Sequence, residues 1–300
     1  MTKKFTNVQV HSTNVRLYRV RQRIKRIALY FLWNHTPTIS KIITKRAFFT
    51  PAKYRINSVE RSYLEYATAF EISVNDKTIQ CWKWGRGPGI LLVHGWSGRG
   101  IQLHGFIEPL IRAGYAVFTF DGPGHGESEG KTSSYFELTD AVRAFISSSN
   151  GNNIKGVIAY SLGGSAVING LAKENHSLET VLIAPALKLK DVLHNTFTHH
   201  GVPQAIYQNL ILEFEHKFGY NMHRDDPHKL VKEITPKLLI VHDRNDLVIP
   251  YIDSKEMAEQ LENVVLHTTR GLGHKRILND SSVIDLTVKH FEGNGGKNHE

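Results

Sequence analysis

Ser161, Asp246 and His274 are three side chains that together can turn a hydroxyl into a nucleophile. A serine hydroxyl attacks poorly until an imidazole takes its proton, and that imidazole needs a carboxylate to hold its tautomer. Ser161 lies in Ala159-Tyr160-Ser161-Leu162-Gly163, after an apolar run, Val157 to Ala159, and before a helix-like run, Ala166 to Ala172. A strand that becomes a helix within so few residues crowds its flanks, so the positions two either side of the apex must be small. Ala159 and Gly163 meet that need, and the pattern departs from G-x-S-x-G only at Ala159. The apex serine is then forced outward at the carboxyl end of its strand. The competing reading is a plain Gly-rich turn between strand and helix, and only partners elsewhere in the chain can decide between the two.

Those partners stand where an open parallel sheet gathers its ligands, at the carboxyl ends of strands. Leu238 to His242 reads as a strand, and Asp243-Arg244-Asn245-Asp246 follows it. Val264 to Thr269 reads as the last strand, followed by Arg270-Gly271-Leu272-Gly273-His274. The glycines flanking Leu272 suit a tight turn that carries His274 back over the sheet. With seventeen histidines in the chain, position after the final strand is what selects this one.

The elements that must hold these residues follow from the pattern. Phe70 to Val74 and Thr78 to Trp84, around Asn75-Asp76-Lys77, predict an antiparallel hairpin. Strand and helix patterns then alternate: strands at 90–93, 115–120, 157–159, 181–184, 238–241 and 264–266, helices at 106–113, 135–148, 166–172 and 281–291. Alternation of this kind predicts an α/β fold, a mostly parallel central sheet with helices on both faces. It breaks between Ala184 and Lys237, where helical patches near 187–197 and 203–218 form one long connection. An insertion of that length is usually functional. It is expected to be a helical cap, about 187–234, that lies over the serine and shapes the substrate pocket.

Charge divides the 300-residue chain, whose net charge is +9. Residues 1–59 carry thirteen Lys/Arg and no Asp or Glu, whereas the remainder has 24 bases against 28 acids. The expected organisation is a basic amphipathic helical arm, 1–55, a catalytic domain, 56–292, and a disordered tail, 293–300. Leu17, Val20, Ile24, Ile27 and Phe31 recur at helical steps between arginines, and a second helix follows Pro37. The longest apolar run, Ile27 to Trp33, is far short of the ~20 residues that span a bilayer. Two expectations stand for the arm: its apolar stripe packs on the catalytic domain with its charges solvated, or residues 15–49 lie in an anionic membrane surface. No nucleic-acid-binding motif accompanies the charge. The single cysteine, Cys81, excludes an intrachain disulfide and fits a cytoplasmic protein, peripheral to the inner face of the membrane if the arm binds there. The histidines at 194, 199, 200, 216, 223 and 228 lack a recognised ligand spacing, so no metal is expected.

The chain resembles the α/β-hydrolase superfamily, in particular small bacterial esterases and its lysophospholipase or serine-aminopeptidase-like branch. Four stretches carry the resemblance: Leu91-Leu92-Val93-His94-Gly95-Trp96, Asp121-Gly122-Pro123-Gly124-His125-Gly126-Glu127-Ser128, Ala159-Tyr160-Ser161-Leu162-Gly163-Gly164, and the pair Asp246 and His274. Ser…Asp…His is the superfamily's order, and its D-x-x-x-P spacing to Pro250 favours Asp246 over Asp243. The resemblance implies that His94, Gly95 and Tyr160 line the site, that the amides of Trp96 and Leu162 form an oxyanion hole, and that Asp121 to Ser128 is structural.

These observations predict a serine hydrolase acting on a small acyl ester or thioester through an acyl-enzyme, without a cofactor. The alternatives are a catalytically silent scaffold acting as a binding or membrane-adaptor protein, an aminopeptidase and an acyltransferase. Acyl chain, leaving group and oligomeric state are not written in the pattern.

Overall fold

The structure is a computed structural model that describes residues 20, 23–24, 26–148, 151–174, 178–234 and 237–295. Eight strands form one sheet in the order β1-β2-β4-β3-β5-β6-β7-β8. They are β1 (Thr68–Val74), β2 (Lys77–Trp84), β3 (Gly89–Val93), β4 (Ala116–Phe120), β5 (Ile154–Tyr160), β6 (Glu179–Ile183), β7 (Leu238–Asp243) and β8 (Val264–Thr269). The expected hairpin is the antiparallel β1/β2 pair, turning through Asn75 and Asp76 at positive φ. β2 also meets β4 antiparallel, and every other pairing is parallel. Strands β3, β4 and β7 are buried along their whole length. Their unbroken apolar runs are what a sheet covered on both faces requires.

Strand order reverses at β3, which lies between β4 and β5, with Val93 opposite Ala159. Such a switch point opens a crevice beyond the strand ends. It sets the turn after β3 beside the turn after β5, while β6, β7 and β8 follow to the other side. The helices of this body are α2 (Ser58–Glu65), α3 (Ile107–Arg112), α4 (Tyr135–Ser147), α5 (Leu162–Glu174), α8 (Pro227–Leu230), α9 (Tyr251–Gln260), α10 (Gly273–Arg276) and α11 (Ser281–Gly295). α11 runs past the expected end of the closing helix, so Gly293 to Gly295 are helical and not tail; each residue there still has an acceptor one turn back. Cys81 is buried in β2, and burial, with the charges of Asp121 and Glu71, pushes its thiol up to about 12.

The chain divides into two compact units. The larger comprises Phe49–Leu189 and Asn221–Glu300, so residues 49–55 belong with the sheet and not with the arm. Two hydrogen bonds show why: Ser133 N–H donates to the Phe49 carbonyl (2.7 Å), and Ala52 N–H donates to Ser97 Oγ (2.9 Å). Residues 221–234 of the long connection belong here too, since Asn169 Nδ2 donates to the Asp225 carbonyl at 3.0 Å.

The smaller unit joins the described part of the arm, up to Phe48, to Lys190–Tyr220. Of the expected first helix, which carries Leu17 to Phe31, much lies outside the described residues; residues 26–35 are helical. α1 (Pro37–Phe49) starts on a proline and meets the insertion helices α6 (Leu189–His199) and α7 (Gln204–Phe218). Phe48 stacks on Phe197 with ring centres 4.3 Å apart, and Lys45 pairs with Glu213. The buried side of α1 carries Ser40 and Thr44, and Leu29 is buried in the helix before it. Ile24, Ile27, Tyr30, Phe31, Ile39, Ile42 and Ile43 are instead 45–62% exposed.

Candidate active site

Ser161 occupies the turn between β5 and α5 with φ of 54°, a left-handed conformation that a non-glycine residue adopts only under strain. The turn is pinned by Ser161 N–H to the Ile183 carbonyl (3.0 Å) and by Gly164 N–H to the Ser161 carbonyl (3.0 Å). The demand for small flanks is visible at Gly163, where a Cβ would lie 2.4 Å from the His94 carbonyl oxygen and 2.8 Å from that of Val93. The helix after the serine therefore rests directly on the end of β3.

The three residues selected from the sequence meet. Ser161 Oγ is 3.1 Å from His274 Nε2, and His274 Nδ1 is 2.7 Å from Asp246 Oδ2. Asp246 Oδ1 accepts from the amides of Val248 (2.7 Å) and Ile249 (3.0 Å), which fixes the carboxylate in its turn. Burial alone would push the Asp246 carboxyl up. The nearby His242 imidazole, together with hydrogen bonds from His274 and the Ile249 amide, outweighs it and holds the group well below the usual carboxylate range. An acid that stays ionised keeps the proton on His274 Nδ1 and leaves Nε2 bare toward the serine. Tyr160 donates its hydroxyl to the His274 carbonyl at 3.1 Å and lies against the ring, 5.0 Å between centres. Burial, and then the charge of Asp246, raise its phenol.

Asp243, the rival acid, does different work. Its carboxylate accepts from the amides of Asn245 and Leu272, both at 2.9 Å, and from Thr269 Oγ1 at 2.8 Å. It thus ties the loop carrying Asp246 to the loop carrying His274.

On the other side of Ser161 is the turn after β3. A Cβ on Gly95 would lie 3.0 Å from Ser161 Cβ and 3.2 Å from a Tyr160 ring carbon. Gly122 N–H donates to His94 Nε2 (2.8 Å), so the His94 proton is on Nδ1, which donates to the Gly95 carbonyl (2.7 Å). Gly98 N–H donates to the same carbonyl at 3.0 Å. A trans peptide aims its N–H opposite to its carbonyl, so holding the Gly95 oxygen fixes the direction of the Trp96 amide. Ser97, at φ 56°, completes the turn, and its amide donates to His125 Nε2 at 3.1 Å while His125 Nδ1 donates to the Pro123 carbonyl at 3.0 Å. Burial lowers both rings, His94 to about 4 and His125 to about 3, so both are neutral acceptors of backbone amides. The Leu162 amide is the first of α5, where no intrahelical acceptor exists and the helix end is positive.

Asp121 accepts from Arg99 Nε (3.0 Å), the Gly100 amide (2.9 Å) and the Glu127 amide (2.8 Å), so its loop braces the segment after the Trp96 turn. Among the described residues, no group of three or more His, Cys, Asp or Glu is placed to hold a metal ion. One residue beside the site was not singled out from the sequence: His242, at the end of β7 and 3.4 Å from Asp246. Its position four residues ahead of the acid was the available signal.

A family model described as the alpha/beta hydrolase family matches residues 90–285. A comparison with curated protein sequences gives no match. Among solved structures, an esterase of Pyrococcus furiosus is similar at a TM-score of 0.63 and 20% identity, over 82% of this chain and 97% of that one. Est1E of Butyrivibrio proteoclasticus, with bound ferulic acid, is similar at 0.58 and 18%, over 75% and 98%. A bacterial membrane phospholipase A is similar at 0.59 and 13%, over 92% and 99%. At these identities the structures speak for the fold. With the family model covering the sheet from β3 and both segments that converge on Ser161, the chain belongs to the alpha/beta hydrolase family.

Proposed function

We propose that this hydrolase cleaves carboxylic esters or thioesters through an acyl-enzyme, with Ser161, His274 and Asp246 as its catalytic residues. The observation that carries the reading is the unbroken contact Ser161 Oγ to His274 Nε2 (3.1 Å) and His274 Nδ1 to Asp246 (2.7 Å). Ser161 Oγ attacks the acyl carbon as His274 Nε2 takes its proton, and the carbonyl electrons move onto oxygen. The amides of Trp96 and Leu162 receive that oxyanion, each such donor typically worth ~3–4 kcal/mol. His274 then gives the proton to the departing alcohol or thiol, and water repeats the sequence to free the acid. Asp246 holds the His274 tautomer throughout. The esterase neighbours support the substrate class. Ser161→Ala is expected to lower hydrolysis of p-nitrophenyl esters by at least ~1000-fold and to abolish labelling by a fluorophosphonate probe. Labelling that survives in this variant would refute the assignment. Failure of the wild-type chain to label or turn over would favour a silent scaffold.

The arm supports a second element of the reading, attachment to an anionic membrane surface. Seven large apolar side chains stand in solvent on helices whose wider segment, residues 1–59, has thirteen bases and no acid. No helix among the described residues is long and apolar enough to cross a membrane. A basic, apolar-faced helix lying in the headgroup region accounts for both observations. The membrane phospholipase A match adds support, since the 8% of this chain it leaves uncovered is shorter than the arm. The site of action proposed is the cytoplasmic face, where a reduced, buried Cys81 and a cationic arm both fit.

A further inference from the structure

A second imidazole lies beside Asp246. His242 is fully buried in β7, and its Nε2 is 3.4 Å from Asp246 Oδ2, the oxygen that faces His274 Nδ1 at 2.7 Å. Its Nδ1 is 2.7 Å from Ser254 Oγ, itself fully buried in α9. Among the described residues, His242 Nε2 has no hydrogen-bond partner of good geometry.

A carboxylate can only accept, so the nitrogen facing it must carry a proton. That assigns the His242 proton to Nε2 and leaves Nδ1 as acceptor for the Ser254 hydroxyl. Oδ1 of Asp246 is taken by the two amides of its turn, and Oδ2 lies near two imidazoles, hydrogen-bonded to His274 and in a looser contact with His242. The contacts are unequal. His274 has the short bond, whereas 3.4 Å is long for N–H···O and weak.

We propose that His242, oriented by Ser254, is a positioning residue whose Nε2, close to Asp246 Oδ2, limits how strongly that oxygen binds the His274 proton. His242 keeps its own proton throughout, so no transfer passes through it. Its task is to share the negative charge of Oδ2, so that this charge is not spent on His274 alone when His274 becomes positive. The groups facing Asp246 are His242, His274 and the amides of Val248 and Ile249, with Tyr160 close enough to feel its charge.

This inference rests on the Ser161–His274–Asp246 reading, and the test separates the two. In His242→Leu the donor is gone, Asp246 grips the His274 proton harder, and His274 needs a higher pH to act as base. kcat/KM is expected to fall a few-fold, up to about 10-fold, in keeping with loss of a long, weak buried contact to a charged group, and the acid limb of its pH profile is expected to move to higher pH. His242→Gln, whose amide nitrogen reaches the place of Nε2, is expected to restore most of the rate and return the acid limb. Ser254→Ala, a far smaller change, is expected to give the same shift in weaker form and decides the matter if His242→Leu does not fold. Full fluorophosphonate labelling with an unmoved acid limb in both His242→Leu and Ser254→Ala would overturn the role of His242 and leave the triad standing. Equal losses in the Leu and Gln variants with an unmoved limb would reduce His242 to packing, which also overturns it. A wild-type enzyme that does not label would remove the triad, and the role of His242 with it.

Discussion

At the scale of single residues, the site depends on imidazoles with opposite duties. In the proposed reaction His274 must exchange a proton, whereas His94 and His125 must never hold a second one, because each accepts a backbone amide at Nε2. That difference gives a pH signature. The folded chain holds the two rings neutral to about 4 and about 3, while an unfolded histidine titrates near its ordinary value of about 6.5. Between those values the unfolded chain takes up protons that the folded chain refuses, so stability falls as pH drops from about 6.5 toward about 4. Urea midpoints are expected to decline across that window, and His125→Gln, which keeps an acceptor without the basic ring, to flatten part of the decline. Midpoints that stay level in the wild type would show that the rings charge freely in the fold. Ser161 and His274 were legible because their positions follow from strand order. His242 was not, since a histidine inside an apolar strand looks like any buried core histidine until the acid four residues later is seen to turn back on it.

At the scale of elements, close approach of the β3 and β5 ends is what brings the serine beside Gly95. Gly163 is the contact point, with backbone oxygens of His94 and Val93 on its open side. Backbone cannot give way as a side chain can. Gly163→Ala is therefore expected to cost about 2 kcal/mol or more of stability and to depress turnover beyond any loss in folded fraction. Denaturation and ester hydrolysis on the same sample would check it, and a variant with wild-type stability and rate would contradict the contact. The strands were readable because buried parallel strands are short apolar runs bounded by turn residues. α9 was not: its buried positions are Asp253, Ser254 and Met257, which leave almost no apolar periodicity to detect. α2 is similar, and its one signal, Asn57 capping the Glu60 amide while Glu60 returns to the Asn57 amide, is a local hydrogen-bond pattern and not a hydrophobic one.

At the scale of the whole molecule, the division of the chain by charge does not coincide with its division by contact. Acid-free sequence runs to residue 59, but the smaller unit takes the arm only as far as Phe48 and completes itself with Lys190–Tyr220. Composition could mark the basic segment; it could not show that the stacking partner of Phe48 lies about 150 residues further on, at Phe197. The attachment proposed for the arm predicts that replacing Ile27, Phe31, Ile42 and Ile43 together by serine lowers co-sedimentation with phosphatidylserine vesicles at least ~10-fold, because each removes apolar area from the acyl boundary. Hydrolysis of a short water-soluble ester is expected to stay within about twofold, since none of the four belongs to the site. Sedimentation unchanged by the replacements would end the idea.

Cys81 opens a practical route to that question. The chain has one sulfhydryl, sealed inside β2 and held far from ionisation. Alkylating reagents need both access and thiolate, and this position offers neither. A cysteine placed on the exposed side of the arm, at Ile42 for example, would accept a maleimide fluorophore at that one location in the native protein. Its emission could then report, in real time, whether that helix leaves water for lipid.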